Sequence, residues 1–300
     1  MIDRASIFAD ERMGELLRTS FIPVALDQAY QRRQQDAEGE FYRRIAGQGP
    51  RSDFRQTTQG LYVATAAGEL LLYNNNRDPE KVYRLVQQAQ QRFHDSAAHS
   101  EHAAPIEPGD RDVRYAPRPP ERGLVVRVRA RVLGGYAPTD DVWQRAFQSS
   151  LSRDNLWVTA AEHDALVRGE LPATLMQRIV RFHLVDNTRG EPPMWREDEV
   201  HDLEATLERG RLSGSVRLET EDGTRSYRAG LLGFVRTEKD RVVAFDLVAS
   251  GRFQGEGPYT RGAPAGEFPF AVSFTLADGT DVADAIPPQA SRGWIEGYIR

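Results

Sequence analysis

The sequence predicts a two-part protein of mixed class: an α/β domain over residues 1–95, a linker over 96–121, and a β-rich α+β domain over 122–300. Three observations carry that expectation. Apolar side chains recur at helical spacing before residue 20 and after residue 78, with a hairpin signature between them. Residues 94–121 hold three histidines and five prolines and offer almost nothing to bury, which is the composition of a connector. From residue 199 onward, apolar runs separated by short turns read as an antiparallel meander, with a few helices ahead of it. A length of 300 residues also suits two cores better than one.

In the first domain, Ile7, Phe8, Met13, Leu16 and Leu17 fall at helical spacing. Phe21-Ile-Pro-Val-Ala-Leu-Asp27 reads as a short buried strand ending in an acid. Residues 28–46 are polar and helix-compatible, with Phe41, Tyr42 and Ile45 as an apolar edge, and a Gly/Pro/Ser stretch at 47–53 breaks the pattern. Gly60–Thr65 and Glu69–Tyr73 flank Ala66-Ala67-Gly68 as a β-hairpin. Asp78 and Pro79 open a helix: the aspartate accepts from free amides, and a proline at the first helical position loses no hydrogen bond. Val82, Leu85, Val86 and Ala89 then line its inner face.

The second domain begins with Leu124–Leu133, where apolar residues alternate with arginine, as in a strand with one wet face. Helical segments follow at about 139–150, 160–168 and 172–183. After Pro192-Pro193, strands are expected at 199–208, 211–220, 225–237, 241–252 and 268–276, with turns at Glu221-Asp222-Gly223 and Glu238-Lys239-Asp240. Such a meander forms either an open sheet or a curled half-barrel. Trp143, Phe147 and Trp157 belong to a core, while Trp294, Tyr298 and Ile299 dock on the body or on a partner.

Composition excludes several classes. Hydrophobic content of 40% and charged content of 28% are those of an ordinary globular protein. A net charge of −5 argues against a nucleic-acid binder, which is expected to be basic. Lys81 and Lys239 are the only lysines, and the abundance of arginine reads as compositional bias rather than as a phosphate site. No run approaches the ~20 apolar residues of a membrane-spanning helix. The start, Met-Ile-Asp-Arg-Ala-Ser, lacks the apolar core of an export signal, so the cytoplasm is the default compartment. The chain contains no cysteine, which rules out thiol–disulfide exchange, since that reaction needs a thiolate. No cofactor motif is present: Gly255–Gly266 lacks the spacing and the Lys-Ser/Thr of a phosphate loop.

Residues 5–93 resemble the thioredoxin-like superfamily. The likeness rests on Phe21–Asp27, on Gln59-Gly-Leu-Tyr-Val-Ala-Thr-Ala-Ala-Gly-Glu-Leu-Leu and on Asp78-Pro-Glu-Lys-Val-Tyr-Arg-Leu. The resemblance implies that the 21–27 strand lies beside the hairpin in one sheet. Two hallmarks of the family are missing: Gln28-Ala-Tyr-Gln-Arg-Arg stands where Cys-x-x-Cys is expected, and Thr57-Thr-Gln-Gly60 has no proline before the hairpin. Asp36-Ala-Glu-Gly-Glu-Phe-Tyr, Thr58-Gln-Gly-Leu-Tyr and Arg181–Gly190 are similar to segments of bacterial thioredoxin-like proteins, some with a reactive cysteine or selenocysteine at the position of Gly39.

The densest set of chemically useful groups is Phe182–Gly190. Here His183 and Asp186 suit a base and its orienter, with Arg189 beside them. The same residues suit a helix end, because a histidine favours the negative pole and Asn187 and Gly190 favour the exit turn. His163, His183 and His201 make a metal centre only if the fold converges them. His94, His99 and His102, with Asp95 and Glu101, lack the spacing of a structural zinc site and read as solvated linker. The expected function is a non-redox binding or assembly module for an unknown protein partner or small ligand. The rival is an enzyme, such as a metal-assisted hydrolase, acting around His183.

Overall fold

The computed structural model describes residues 7–95, 106, 109–110, 112–115, 117–292 and 294–299. Residues 6–117 form one compact unit and 118–300 the body of another. Among the described residues, no helix is long and apolar enough to cross a membrane.

In the first unit, aspartates start the helices. Asp10 caps α1 (Glu11–Ser20), Asp27 caps α2 (Gln28–Gln31) and Asp36 caps α3 (Ala37–Ala46), each accepting from a backbone N–H of the first turn. The polar stretch 28–46 is therefore two helices rather than one. A two-stranded antiparallel hairpin, β1 (Leu61–Ala64) and β2 (Leu70–Asn74), lies where the turn chemistry placed it. Asp78 accepts from Lys81 N–H at 2.9 Å and starts α4 (Pro79–Asp95), whose Val82 and Val86 are fully buried with Ile7 and Met13. Gln34 exchanges two bonds with the backbone of Asp112, at 3.0 and 3.2 Å, so the end of the expected linker packs on this unit.

One element differs from expectation. Residues 21–27 form neither helix nor strand and lie outside the hairpin sheet, which has two strands among the described residues; the backbone is extended at Phe21 and at Asp27. Both ends of the segment are committed to helices: Phe21 N–H closes α1 on Leu17 O at 3.2 Å, and Asp27 caps α2. Pro23 also removes one ladder donor. The apolar run is not paired into the sheet. Gly39 is fixed by packing, since a Cβ there would come within 2.0 Å of the Gln34 carbonyl oxygen. A cysteine at this position would collide with backbone, which yields little.

In the second unit, seven strands form one open antiparallel sheet: β3 (Leu124–Val132), β4 (Asp154–Val158), β5 (Val200–Glu208), β6 (Arg211–Glu219), β7 (Ser226–Glu238), β8 (Arg241–Gln254) and β9 (Glu267–Leu276). Their spatial order is β4-β3-β9-β8-β7-β6-β5. The meander from β5 to β9 is thus extended by β3, the unit's first strand, and by β4, which the sequence had not suggested. Alternation buries one face, where Tyr227, Phe253, Phe268 and Phe270 contact one another with ring centroids 5.1–5.6 Å apart. Tyr227 places its hydroxyl on Ala249 O and Phe270 O, so this core aromatic is polar-satisfied as well. Also in this unit are α5 (Val142–Ser149), α6 (Ala160–Val167), α7 (Ala173–Arg178) with a π-helical turn at Ile179–His183, and α8 (Ile295–Ile299).

Candidate functional site

Of the polar candidates of the sequence, His183, Asp186 and Arg189 lie buried in the second unit. Thr159 and Glu162 form a reciprocal capping box that starts α6. The Glu162 carboxylate also receives a two-pronged bond from Arg178, at 2.8 and 3.0 Å, and one from Thr174 at 2.8 Å. Arg178 spends its remaining N–H groups on three carbonyls: Trp157 at 3.1 Å, Tyr298 at 2.8 Å and Ile299 at 2.8 Å. Burial pushes the Glu162 carboxyl up most strongly, yet Arg178, the Thr159 N–H and Thr174 together hold it below the usual carboxylate range.

Beside this pair, His183 sits between an acid and a hydroxyl. Its Nε2 lies 2.7 Å from the Tyr298 hydroxyl and its Nδ1 3.1 Å from Asp154 Oδ2. The second contact is not an aligned hydrogen bond, since Nδ1 has no partner in good geometry. The Tyr298 hydroxyl donates to Nε2 in the tautomer that carries its proton on Nδ1, the nitrogen facing Asp154. Asp154 is itself committed through Oδ1, which accepts from Asn155 N–H and Gln289 N–H, both at 2.9 Å. Burial, with the Asp154 charge adding to it, pushes the Tyr298 hydroxyl well above the ordinary tyrosine range. An acid–imidazole–hydroxyl row has the composition of a nucleophilic relay. Here the three side chains are buried and the hydroxyl is held protonated, so the row has no solvent-facing nucleophile.

The following turn is a second closed set. Asp186 Oδ1 accepts from Thr188 N–H at 3.1 Å and from Thr188 Oγ1 at 2.6 Å, and Oδ2 pairs with Arg189 at 2.5 Å. Arg189 also donates to Thr260 O at 3.1 Å and to the Tyr136 hydroxyl at 2.8 Å. Its carboxylate is that of its own turn, not one from the strands. Gly190 permits this packing, since a Cβ there would meet Tyr259 O at 2.0 Å. The chain then passes Trp195, whose ring carries the Arg225 guanidinium 3.9 Å from its centroid.

The histidines do not converge. His163 accepts from Val242 N–H at 3.1 Å through Nε2 and bonds Arg122 O through Nδ1, while His201 lies exposed on β5 against Glu219 O. Among the described residues, no three His, Asp or Glu side chains are grouped to hold a metal. His94 is exposed on α4, and His99, His102 and Glu101 lie outside the described residues.

Sequence reasoning found His183, Asp186 and Arg189 but not Asp154, Arg178, Glu162 as a pair, or Tyr298 as the partner of His183. Tyr298 stands 115 residues from His183, and only its spacing from Trp294 hinted that it docks. Compared with protein-family models, with curated proteins and with solved structures, the chain matches none.

Proposed function

We propose that this protein is a non-redox binding or assembly module whose second unit presents the open face of its sheet to a partner. One observation carries the reading. On the solvent face of β7 and β8, Leu232, Phe234 and Val248 are 57, 50 and 44% exposed, and Leu232 and Val248 are direct cross-strand neighbours. They floor a shallow hollow of about 630 Å³ whose lining includes Arg209, Arg211 and Arg236. Adjacent large apolar side chains ringed by arginine are characteristic of interaction surfaces. The hydrolase alternative lacks a solvent-reachable group at His183. The first unit enters this reading as a thioredoxin-like module without a thiol; the hairpin followed by α4 supports that order, and the position of residues 21–27 does not.

Phe234→Asp tests the reading. Purified parent and variant are compared for proteins retained from an extract of the producing cells. The variant is expected to lose the retained partner while its unfolding free energy stays within about 0.5 kcal/mol of the parent, as for most surface substitutions. Identical retention by both proteins would contradict the proposal.

A further inference from the structure

The first unit leaves a strand-forming segment and a strand edge both without strand partners among the described residues. Ile22, Val24 and Leu26 alternate along a segment whose ends, Phe21 and Asp27, have extended backbone, and are 92, 74 and 44% exposed. In extended backbone these three share one face. No charged side chain lies between Phe21 and Leu26, so the segment lacks the gatekeeping that normally protects such a stretch. The hairpin has the matching feature. Its β2 is capped by side chains, with Leu70 N–H on Gln48 Oε1 at 3.1 Å and Arg92 on Leu71 O at 3.2 Å. Its β1, Leu61-Tyr-Val-Ala64, is uncharged and, among the described residues, borders no strand but β2.

Pro23 decides which side of the segment pairs. Backbone groups alternate along an extended chain, so those of residues 22, 24 and 26 point to one side and those of 21, 23 and 25 to the other. Proline has no N–H, and the complete ladder is therefore on the side of Ile22, Val24 and Leu26. The missing donor falls on the outer edge, where proline is tolerated.

We propose that residues 22–26 of one copy add to the β1 edge of a second copy, and reciprocally, to form a two-fold dimer. Within its own copy the segment is tied at Leu17 and at the α2 cap, outside the sheet. One chain supplies both halves of the contact, so exchange between two copies closes with two equivalent interfaces. Each interface adds a third strand to a hairpin that is marginal with two, and it extends the apolar face of Leu61 and Leu72. This assembly goes beyond the proposed face of the second unit and uses none of its residues.

The full chain should show twice its own mass by light scattering, and Ile22→Asp/Val24→Asp should show the single-chain mass with an unchanged circular dichroism spectrum. The absence of native cysteine allows a direct probe. Val24→Cys chains and Val63→Cys chains are mixed and treated with a short bis-maleimide; a covalent dimer is expected in the mixture and in neither variant alone. A monomeric parent would overturn the proposal, as would a mixture that does not cross-link. So would a dimer that survives Ile22→Asp/Val24→Asp, which would place the contact elsewhere, whereas loss of the dimer in Phe234→Asp would assign it to the sheet face.

Discussion

Arg178→Ala is expected to destabilise the second unit by about 3–5 kcal/mol, because it leaves the Glu162 carboxylate buried without its cation. In a domain of this size that corresponds to a fall in Tm of about 6–20 °C. The same substitution also removes the bonds that Arg178 donates to the carbonyls of Trp157, Tyr298 and Ile299. Removing both charges, as in Glu162→Leu/Arg178→Met, should cost less than removing one, since no unpaired ion remains. The pair also makes part of the stability acid-sensitive. The Glu162 carboxyl is held below its unfolded value, so its contribution is complete above an unfolded pKa of about 4.3 and is lost as pH falls through the folded value. Scanning calorimetry across that range should show Glu162→Gln losing less stability on acidification than the parent. An Arg178→Ala variant that melts with the parent would contradict this account.

Tyr298→Ala is expected to be of similar size, about 3–5 kcal/mol, the usual cost of deleting a buried aromatic ring. The ring lies 5.5 Å from that of Phe182 and under the Arg178 guanidinium at 5.5 Å. Tyr298→Phe separates the ring from its hydroxyl. It keeps the packing but leaves His183 Nε2 without its bond, and should cost about 1–3 kcal/mol. Urea unfolding of the two variants gives both numbers. If Tyr298→Phe is as stable as the parent, the hydroxyl does not hold His183 and the closed network is mis-assigned.

Local chemistry was legible in the chain, and long-range pairing was not. Asp78 and Pro79 announced α4, and Asp222 marked a turn that it holds by accepting from Thr220 and Thr224. The meander strands lie within a few residues of their expected positions because each is delimited by its own turn. The alternating arginines of β3 correctly signalled a strand, but not that Arg127 would pair with Asp278 and Asp284 more than a hundred residues on. Residues 21–27 show the limit most clearly. Period-two apolar side chains specify an extended backbone, and the same pattern serves a buried central strand or an exposed one. Within the candidate site, Phe182–Gly190 was found because its polar residues are consecutive. Asp154 carries no local signal and Tyr298 only its spacing from Trp294, since their pairing with His183 arises only when β4 and α8 meet the π-helical turn.

His183 and Asp186 are buried and hydrogen-bonded to Tyr298 and to Thr188 and Arg189, a placement that assigns them to holding the fold. Thermal unfolding of the parent, His183→Ala and Asp186→Ala, each with and without saturating zinc, tests it most directly. Both variants are expected to melt below the parent, with zinc raising the Tm of none of the three. A parent stabilised by zinc, with variants that keep its metal-free Tm but lose the zinc response, would contradict it.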